Sequence, residues 1–201
     1  MAGDDEEEHD EVNPYAAPSA ETDAPASNAD LMASIVPRVT TPRLVLRGFH
    51  TDDFESFAEA FADPIAAQFV GGVADRRAAW RMMATGVGLW ALTGGGWWAI
   101  EMRDTGAIVG TVGAFFREPP SQVLEMGWTV QRAHWGRGVA REAAKAAAAY
   151  AFERHGVKQV IAHIDPLNAA SIRVSEYLGM RYEGEVDFYG EKTGRYVLAR
   201  S

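Results

Sequence analysis

The sequence predicts one mixed α/β domain in three layers, and three observations support this. The chain has 201 residues, of which 47% are hydrophobic, enough for one buried core and too few for two ordinary domains. Apolar residues recur with a period of 3.6 in some segments and of 2 in others. The predicted elements follow in the order β α α β β β α β α β β, without a repeat of fixed length.

The acidic residues are concentrated at the start of the chain. Residues 1–40 hold ten of the 28 acidic residues and one of the 19 basic residues, which leaves 18 of each sign in residues 41–201. A polar, acidic segment of this kind cannot offset its ordering entropy. We therefore predict a disordered tail at 1–36 and a folded domain at 37–201. The tail is expected to be a solubilising leader, with attraction of a basic partner as the alternative.

The composition also excludes several functions. The chain has no cysteine, which rules out disulfides, thiolate metal sites and a cysteine nucleophile. We expect no metal, and a neutral domain behind an anionic tail is a poor nucleic-acid binder. A signal peptide and a run of about 18 apolar residues are both missing. We therefore expect a soluble, cytoplasmic protein with no membrane partner.

The first elements follow Thr41. Apolar and polar residues alternate in 42–47, which predicts a strand. Apolar residues then recur at helical spacing in 51–62 and 75–92, which predicts two helices. Three glycines at 94–96 end the second helix.

From Trp97 onward the apolar period is mostly 2. It predicts an antiparallel meander of three strands, of which the first two are joined by a hairpin turn at 103–106. An alanine-rich helix then runs to about His155. The predicted meander strands are 97–102, 107–116 and 123–130, and the later elements are a strand at 158–164, a helix at 168–178 and strands at 180–190 and 195–200.

Two glycines, Gly136 and Gly138, stand directly before the alanine-rich helix. The start of a helix leaves about four N–H groups unsatisfied, and these attract an anion. Glycine allows such groups to converge on a pyrophosphate, and Arg137 and Arg141 add positive charge. The alternative is that Gly138 only permits close packing against the preceding strand. A P-loop is disfavoured because the chain has no Gly-Lys pair, and a Rossmann fingerprint because Arg141 replaces its third small residue.

Four short motifs occur in order: Glu125-Met126-Gly127-Trp128, Trp135-x-x-Gly138-x-Ala140, Asn168-x-x-Ser171 and Leu178-Gly179-Met180. With them, residues 41–200 resemble the GNAT superfamily of N-acetyltransferases, and within it the RimJ/RimL-like branch of ribosomal-protein alanine acetyltransferases. The resemblance implies the three-layer GNAT acyl-CoA N-acyltransferase fold, in which a mostly antiparallel sheet splays between strands 123–130 and 158–164. It also implies direct transfer from acetyl-CoA to a primary amine in a ternary complex.

The resemblance further assigns cofactor-binding residues. The exposed backbone of strand 123–130 should pair with the pantetheine arm, and an N–H at or near Val130 should polarise the thioester oxygen. Asn168 and Ser171 should hold the arm from the opposite wall. The residues expected along the arm and around the pyrophosphate are Trp128, Thr129, Val130, Gly136, Arg137, Gly138, Val139, Ala140 and Arg141.

Glu125 and Ser175 are the catalytic candidates. An amine attacks only when neutral, so a proton acceptor is needed. Glu125 lies near the splay, where burial should raise its pKa; a structural hydrogen bond is the alternative, and His163 is a second candidate base. Many family members have a tyrosine seven residues after the asparagine. Ser175 stands there, so either it or water protonates the leaving thiolate, and Tyr177 should face away from it.

The acceptor is open, as a small-molecule amine or a protein N-terminus. Six aromatic residues are candidates for its groove, although aromatic residues are more often part of the core. The missing tyrosine keeps a second function open, a non-catalytic acyl-CoA-binding or peptide-recognition module. We expect a monomer or a homodimer. The six aromatic candidates are Trp80, Trp90, Trp97, Trp98, Phe115 and Phe116.

Overall fold

The computed structural model describes residues 27–118 and 123–200. Within these ranges no helix is long and apolar enough to span a membrane. The α-helices are α1 (Asn28–Ile35), α2 (Phe54–Ala62), α3 (Pro64–Ala67), α4 (Arg76–Thr93), α5 (Val139–His155) and α6 (Ala169–Leu178). The strands are β1 (Val39–Thr40), β2 (Leu44–Arg47), β3 (Gly96–Met102), β4 (Ile108–Phe116), β5 (Leu124–Val130), β6 (Gln159–Ile164), β7 (Arg181–Phe188) and β8 (Glu191–Ala199).

The strands form a single sheet in the order β1-β2-β3-β4-β5-β6-β8-β7. Neighbouring strands are antiparallel except β5 and β6, which are parallel. Their register pairs are Leu124 with Val160 and Glu125 with Ile161. Beyond Glu125, β5 continues beside β4 and β6 continues beside β8. The sheet therefore opens between β5 and β6, which confirms the predicted splay.

Helices cover both faces of the sheet, as predicted. The α5 helix lies on one face, where alanine side chains from 143 to 151 are buried against apolar residues of the central strands. Small side chains allow a helix to approach a sheet closely. On the other face, Phe57 and Phe61 of α2 pack with Met83 of α4. These two cores fix the sheet between two helical layers.

Order begins earlier in the chain than the sequence analysis predicts. Residues 28–35, assigned there to the tail, form α1. Val36 is 2% exposed within the main core, and Trp98 Nε1 donates a hydrogen bond to Pro37 O at 2.8 Å. Leu31, Met32, Ile35 and Val36 recur at helical spacing within this segment. The acidic composition of the residues before it led to its assignment to the tail. Residues 1–26 of the predicted tail lie outside the described residues.

Candidate active site

The opening of the sheet exposes one edge of β5. Gln131 N–H donates to Val109 O at 2.8 Å, on the β4 side. Since successive N–H groups along a strand point in opposite directions, the N–H groups of Val130 and Trp128 point away from β4 and into the opening. Val130 O, on the same side, accepts a hydrogen bond from Trp135 Nε1 at 2.6 Å. Beyond Glu125 no described strand pairs with this edge of β5, so its N–H groups face an opening that an extended ligand can enter.

The side chains of Trp128 and Thr129 leave β5 on opposite faces. Trp128 is half-buried against Ala162 and Ile164 of β6. Its Nε1 atom is buried and has no hydrogen-bond partner within the described part of the chain. An unsatisfied buried donor costs about 1–3 kcal/mol. A ligand that carries a hydrogen-bond acceptor would remove this cost.

The glycine turn adopts a left-handed backbone. Gly136 has φ +72° and Gly138 has φ +76°, a region that other residues rarely adopt. A Cβ atom at Gly136 would meet nothing within 4 Å, and one at Gly138 would meet Arg43 Nη2 at 3.3 Å. Conformation therefore requires these glycines, and Gly138 does not pack closely against the preceding strand. Gly138 is the N-cap of α5, and no side chain in the described ranges caps this helix.

The residues that follow the turn divide between the core and the surface. Val139 is 2% exposed and Ala140 is half-buried against the core, so each offers its backbone N–H alone to a ligand. The side chains of Arg137 and Arg141 are exposed. The Arg141 guanidinium lies 5.1 Å from the centre of the Tyr177 ring. An anion at the start of α5 would thus meet uncapped N–H groups and two cations.

Arg43 and Glu142 anchor the turn to the beginning of the sheet. Arg43 Nε donates to Glu142 Oε2 at 2.7 Å, and Arg43 Nη1 donates to Arg137 O at 2.8 Å. Thr41 Oγ1 donates to Glu142 Oε1 at 2.6 Å. Sequence reasoning missed this cluster, because Arg43 and Glu142 are 99 residues apart and each alone resembles an ordinary surface charge.

Asn168 and Ser171 lie at the start of α6, the helix that follows β6 on the other side of the opening. Asn168 Oδ1 accepts from Ser171 N at 3.0 Å, so Asn168 is the N-cap of this helix. Both side chains are half-buried. The amide NH₂ of Asn168 and the Ser171 hydroxyl are not used in that hydrogen bond.

Ser175 is buried in α6. It is 0% exposed, and its hydroxyl donates to Ile172 O of the same helix at 2.8 Å. This hydrogen bond engages the hydroxyl proton within the helix, which favours water over Ser175 as the donor to a thiolate. Tyr177 is 53% exposed and faces away from Ser175, as its helical position predicts.

Glu125 lies where the sheet opens and is buried between Arg117 and His163. Arg117 Nε donates to its Oε2 atom at 2.7 Å and Arg117 Nη2 donates to its Oε1 atom. His163 Nδ1 lies 3.4 Å from Oε1. Burial raises the pKa of Glu125, but His163 and Arg117 together outweigh it and hold the pKa below the ordinary value of 4.5. This corrects the expectation of a raised pKa, and it makes Glu125 a weak proton acceptor.

His163 stands on β6 beyond the last pair with β5, on the same face as Glu125. Its ring stacks on Phe188, with centroids 4.3 Å apart and planes inclined by 24°. The Nδ1 atom is buried, and it makes no aligned hydrogen bond to any described residue. The side chain remains 13% exposed, so Nε2 is the ring nitrogen left for a substrate. Across residues 27–118 and 123–200, no three acidic or histidine side chains group to hold a metal ion.

Trp97 and Phe115 lie on the same face as Glu125. Their rings stack with centroids 5.2 Å apart, and Phe115 is the register partner of Glu125. Trp97 lies across two glycines, because Cβ atoms at Gly113 and Gly127 would come within 2.7 and 2.6 Å of its ring. Trp90 and Trp98 are instead core residues, Phe116 contacts His155, and Trp80 contacts Phe54.

Residues 43–181 match the family model of the acetyltransferase (GNAT) domain. The chain belongs to the GNAT acetyltransferase family. It is 34% identical to protein YkkB of Bacillus subtilis over 155 residues, which cover 72% of this chain and 86% of YkkB. This GNAT chain is also similar in structure to an acetyltransferase from Agrobacterium tumefaciens, with a TM-score of 0.75 and 28% identity over 82% of this chain and 95% of that one.

The structural neighbours of this GNAT chain include ribosomal-protein acetyltransferases. RimL, a ribosomal-protein alpha-N-acetyltransferase solved with coenzyme A, has a TM-score of 0.69 over 80% of this chain and 96% of its own. Its sequence identity is 13%, so the likeness concerns the fold alone.

Proposed function

We propose that this GNAT protein transfers the acetyl group of acetyl-CoA directly to a primary amine, of a small molecule or of a protein N-terminus, in a ternary complex. One observation carries the proposal: the free edge of β5 leads directly into an uncapped glycine turn at the start of α5. A ligand with an extended arm and a pyrophosphate fits both features. The arm can pair with the backbone of β5, and the pyrophosphate can bind the converging N–H groups of the turn.

The residues fit acetyl-CoA along both parts of this path. The N–H groups from Gly138 to Arg141 would bind the pyrophosphate, with the side chains of Arg137 and Arg141 at its rim. The pantetheine arm would lie along Trp128, Thr129 and Val130. Trp128 Nε1, which is buried without a partner among the described residues, would donate to an amide oxygen of the arm. Asn168 and Ser171 would close the other side.

For the chemistry we assign proton acceptance to His163 and an anchoring role to Glu125. The ionised Glu125 favours the tautomer of His163 that carries its proton on Nδ1, which leaves the lone pair on Nε2 free. The acceptor nitrogen attacks the thioester carbon, and its proton passes to Nε2. The N–H of Val130 stabilises the oxyanion. The C–S bond then breaks, and the thiolate of CoA takes a proton from water. The protonated His163 returns its proton to the solvent, which neutralises the hydroxide and restores the base.

Calorimetric titration with acetyl-CoA, followed by a thiol-release assay on amines and N-terminal peptides, tests the proposal. A ligand at a hundredfold excess over Kd should stabilise the native state by about 2.7 kcal/mol, and at least one acceptor should turn over. Tight binding without turnover would favour the alternative, a non-catalytic acyl-CoA-binding or peptide-recognition module. A protein that does not bind acetyl-CoA would contradict both.

A matched pair of histidine variants tests the base. His163→Gln should lower kcat by about 10²- to 10⁴-fold and leave the Kd for acetyl-CoA unchanged. His155→Gln is the control, because His155 lies at the end of α5 against Phe116. Equal kcat in the two variants would contradict the assignment.

A further inference from the structure

The glycine turn is held from outside by Arg43. We infer that Arg43 and Glu142 form a positioning pair, which fixes the peptide plane between Arg137 and Gly138 and thereby sets the affinity of the turn for a diphosphate. The inference rests on the proposed function, because it concerns the same site. Neither residue is assigned a contact with the ligand; each acts through the backbone of the turn.

Glu142 is the fixed point of this pair. Its Oε1 atom accepts from Thr41 Oγ1 at 2.6 Å and from Arg43 N at 2.9 Å, and its Oε2 atom accepts from Arg43 Nε at 2.7 Å. Burial raises the pKa of Glu142, but hydrogen bonds from Thr41 and Arg43 outweigh it and hold the pKa below its usual value. The carboxylate therefore stays ionised and orients the planar guanidinium by its Nε–H.

The oriented guanidinium then fixes the direction of the peptide group between Arg137 and Gly138. Arg43 Nη1 donates to Arg137 O at 2.8 Å. In a planar trans peptide, the C=O of one residue and the N–H of the next point in opposite directions. A carbonyl of Arg137 held towards Arg43 thus directs the N–H of Gly138 to the opposite side. It also keeps a carbonyl oxygen from turning towards the anion.

The turn needs such an anchor because it is intrinsically loose. Gly136 and Gly138 flank Arg137, and glycine has more backbone freedom than any other residue. A rotation of the plane between Arg137 and Gly138 would replace an N–H group by a carbonyl oxygen at the binding surface. Because Arg43 holds this plane before the ligand binds, the free-energy cost of ordering it is not subtracted from the binding free energy.

The pair acts through geometry and little through net charge. The positive charge of Arg43 is balanced by Glu142 at 2.7 Å, so its long-range attraction for a diphosphate is small. Lysine at position 43 keeps the charge but cannot bond Glu142 and the Arg137 carbonyl through one rigid plane. Arg43→Lys therefore separates positioning from charge.

The test compares Arg43→Lys with Arg76→Lys in the full chain. Arg76 forms a two-point ion pair with Glu55, with distances of 2.6 and 2.7 Å, and does not touch the turn. Arg43→Lys should weaken acetyl-CoA binding at least tenfold and raise its KM by a similar factor. We expect kcat at saturation to stay within twofold and the KM of the acceptor to remain unchanged. Arg76→Lys should change none of these.

The Glu142→Gln variant and the amide resonance of Gly138 provide a second test. The amide resonance of Gly138 in the ligand-free protein should shift in Arg43→Lys and in Glu142→Gln, but not in Arg76→Lys. Acetyl-CoA affinity within twofold of wild type in both of these turn variants, or an unmoved Gly138 resonance, would overturn this inference alone. A wild-type protein that does not bind acetyl-CoA would overturn the proposed function together with it.

Discussion

The Glu125 carboxylate and the Arg117 guanidinium form a two-point ion pair at the last register pair that joins β5 to β6. The ion pair is partly buried, since 10% of the Glu125 side chain and 35% of the Arg117 side chain are exposed. Burial alone would favour a protonated carboxyl group there. Arg117 and His163 reverse this preference, so the charge at the opening of the sheet depends on a residue directly after β4 and on one of β6.

The first prediction concerns the pH dependence of stability. The folded-state pKa of Glu125 is lowered, so its contribution is complete above about pH 4.5 and is lost as the pH falls through the lower folded-state pKa. Arg117→Gln should remove one of the two groups that lower the pKa of Glu125, raise that pKa and destabilise the protein at neutral pH by about 1–3 kcal/mol. Thermal unfolding from pH 4 to pH 8 measures this. The destabilisation should grow with pH, and curves parallel to wild type would contradict it.

The second prediction concerns the glycine turn. Gly138→Asp should weaken acetyl-CoA binding by at least about 100-fold, because a carboxylate would repel the diphosphate, which at close range costs several kcal/mol. Gly156→Asp is the matched control, since Gly156 has φ +61° at the other end of α5 and a Cβ there meets nothing within 4 Å. Both variants carry a similar left-handed strain of about 1–2 kcal/mol. Equal affinities by calorimetry would refute the assignment of the turn.

The third prediction concerns Ser175. Since its hydroxyl is buried and donates to Ile172 O, Ser175→Ala should reduce the free energy of unfolding by about 1 kcal/mol and change kcat by less than about twofold. Steady-state kinetics and urea unfolding measure the two effects. A tenfold fall in kcat with unchanged stability would instead restore Ser175 as a proton donor.

The fourth prediction concerns the start of the domain. Removal of residues 1–26 should leave the unfolding midpoint and the KM for acetyl-CoA unchanged. Removal of residues 1–36 also deletes Val36, which is 2% exposed, and should lower the free energy of unfolding by about 1.5–3 kcal/mol. Urea unfolding compares the two proteins. Identical midpoints would show that α1 and Val36 add nothing to the domain.

Much of the fold could be predicted from periodicity. The long helices α4 and α5 and the strands β3 to β5 each repeat one apolar period over many residues. The two-residue strand β1 is too short to show a period, and α1 was assigned to the tail although Leu31, Met32 and Ile35 recur at helical spacing. They exist because Val36 reaches the core and Pro37 O meets Trp98, and such contacts are invisible in a local window.

The site was predictable in its backbone and less so in its electrostatics. Glycines at 136 and 138 indicate a left-handed turn from the sequence alone. The sign of the Glu125 pKa shift depends on Arg117, which only the pairing of β4 with β5 brings close. The burial of Ser175 could have been predicted from the sequence. It shares a helical face with Val174 and Leu178, which are buried or half-buried.

Only two register pairs join β5 to β6. The sheet therefore consists of two smaller sheets, β1 to β5 and β6 to β8, that are joined at this point. The exposed left-handed Gly156 ends α5 on the link between them. A chain cut there yields two fragments, each with several paired strands and one wall of the cleft. Acetyl-CoA would bridge the fragments, so the protein offers a division point for a split reporter whose reassembly responds to that metabolite.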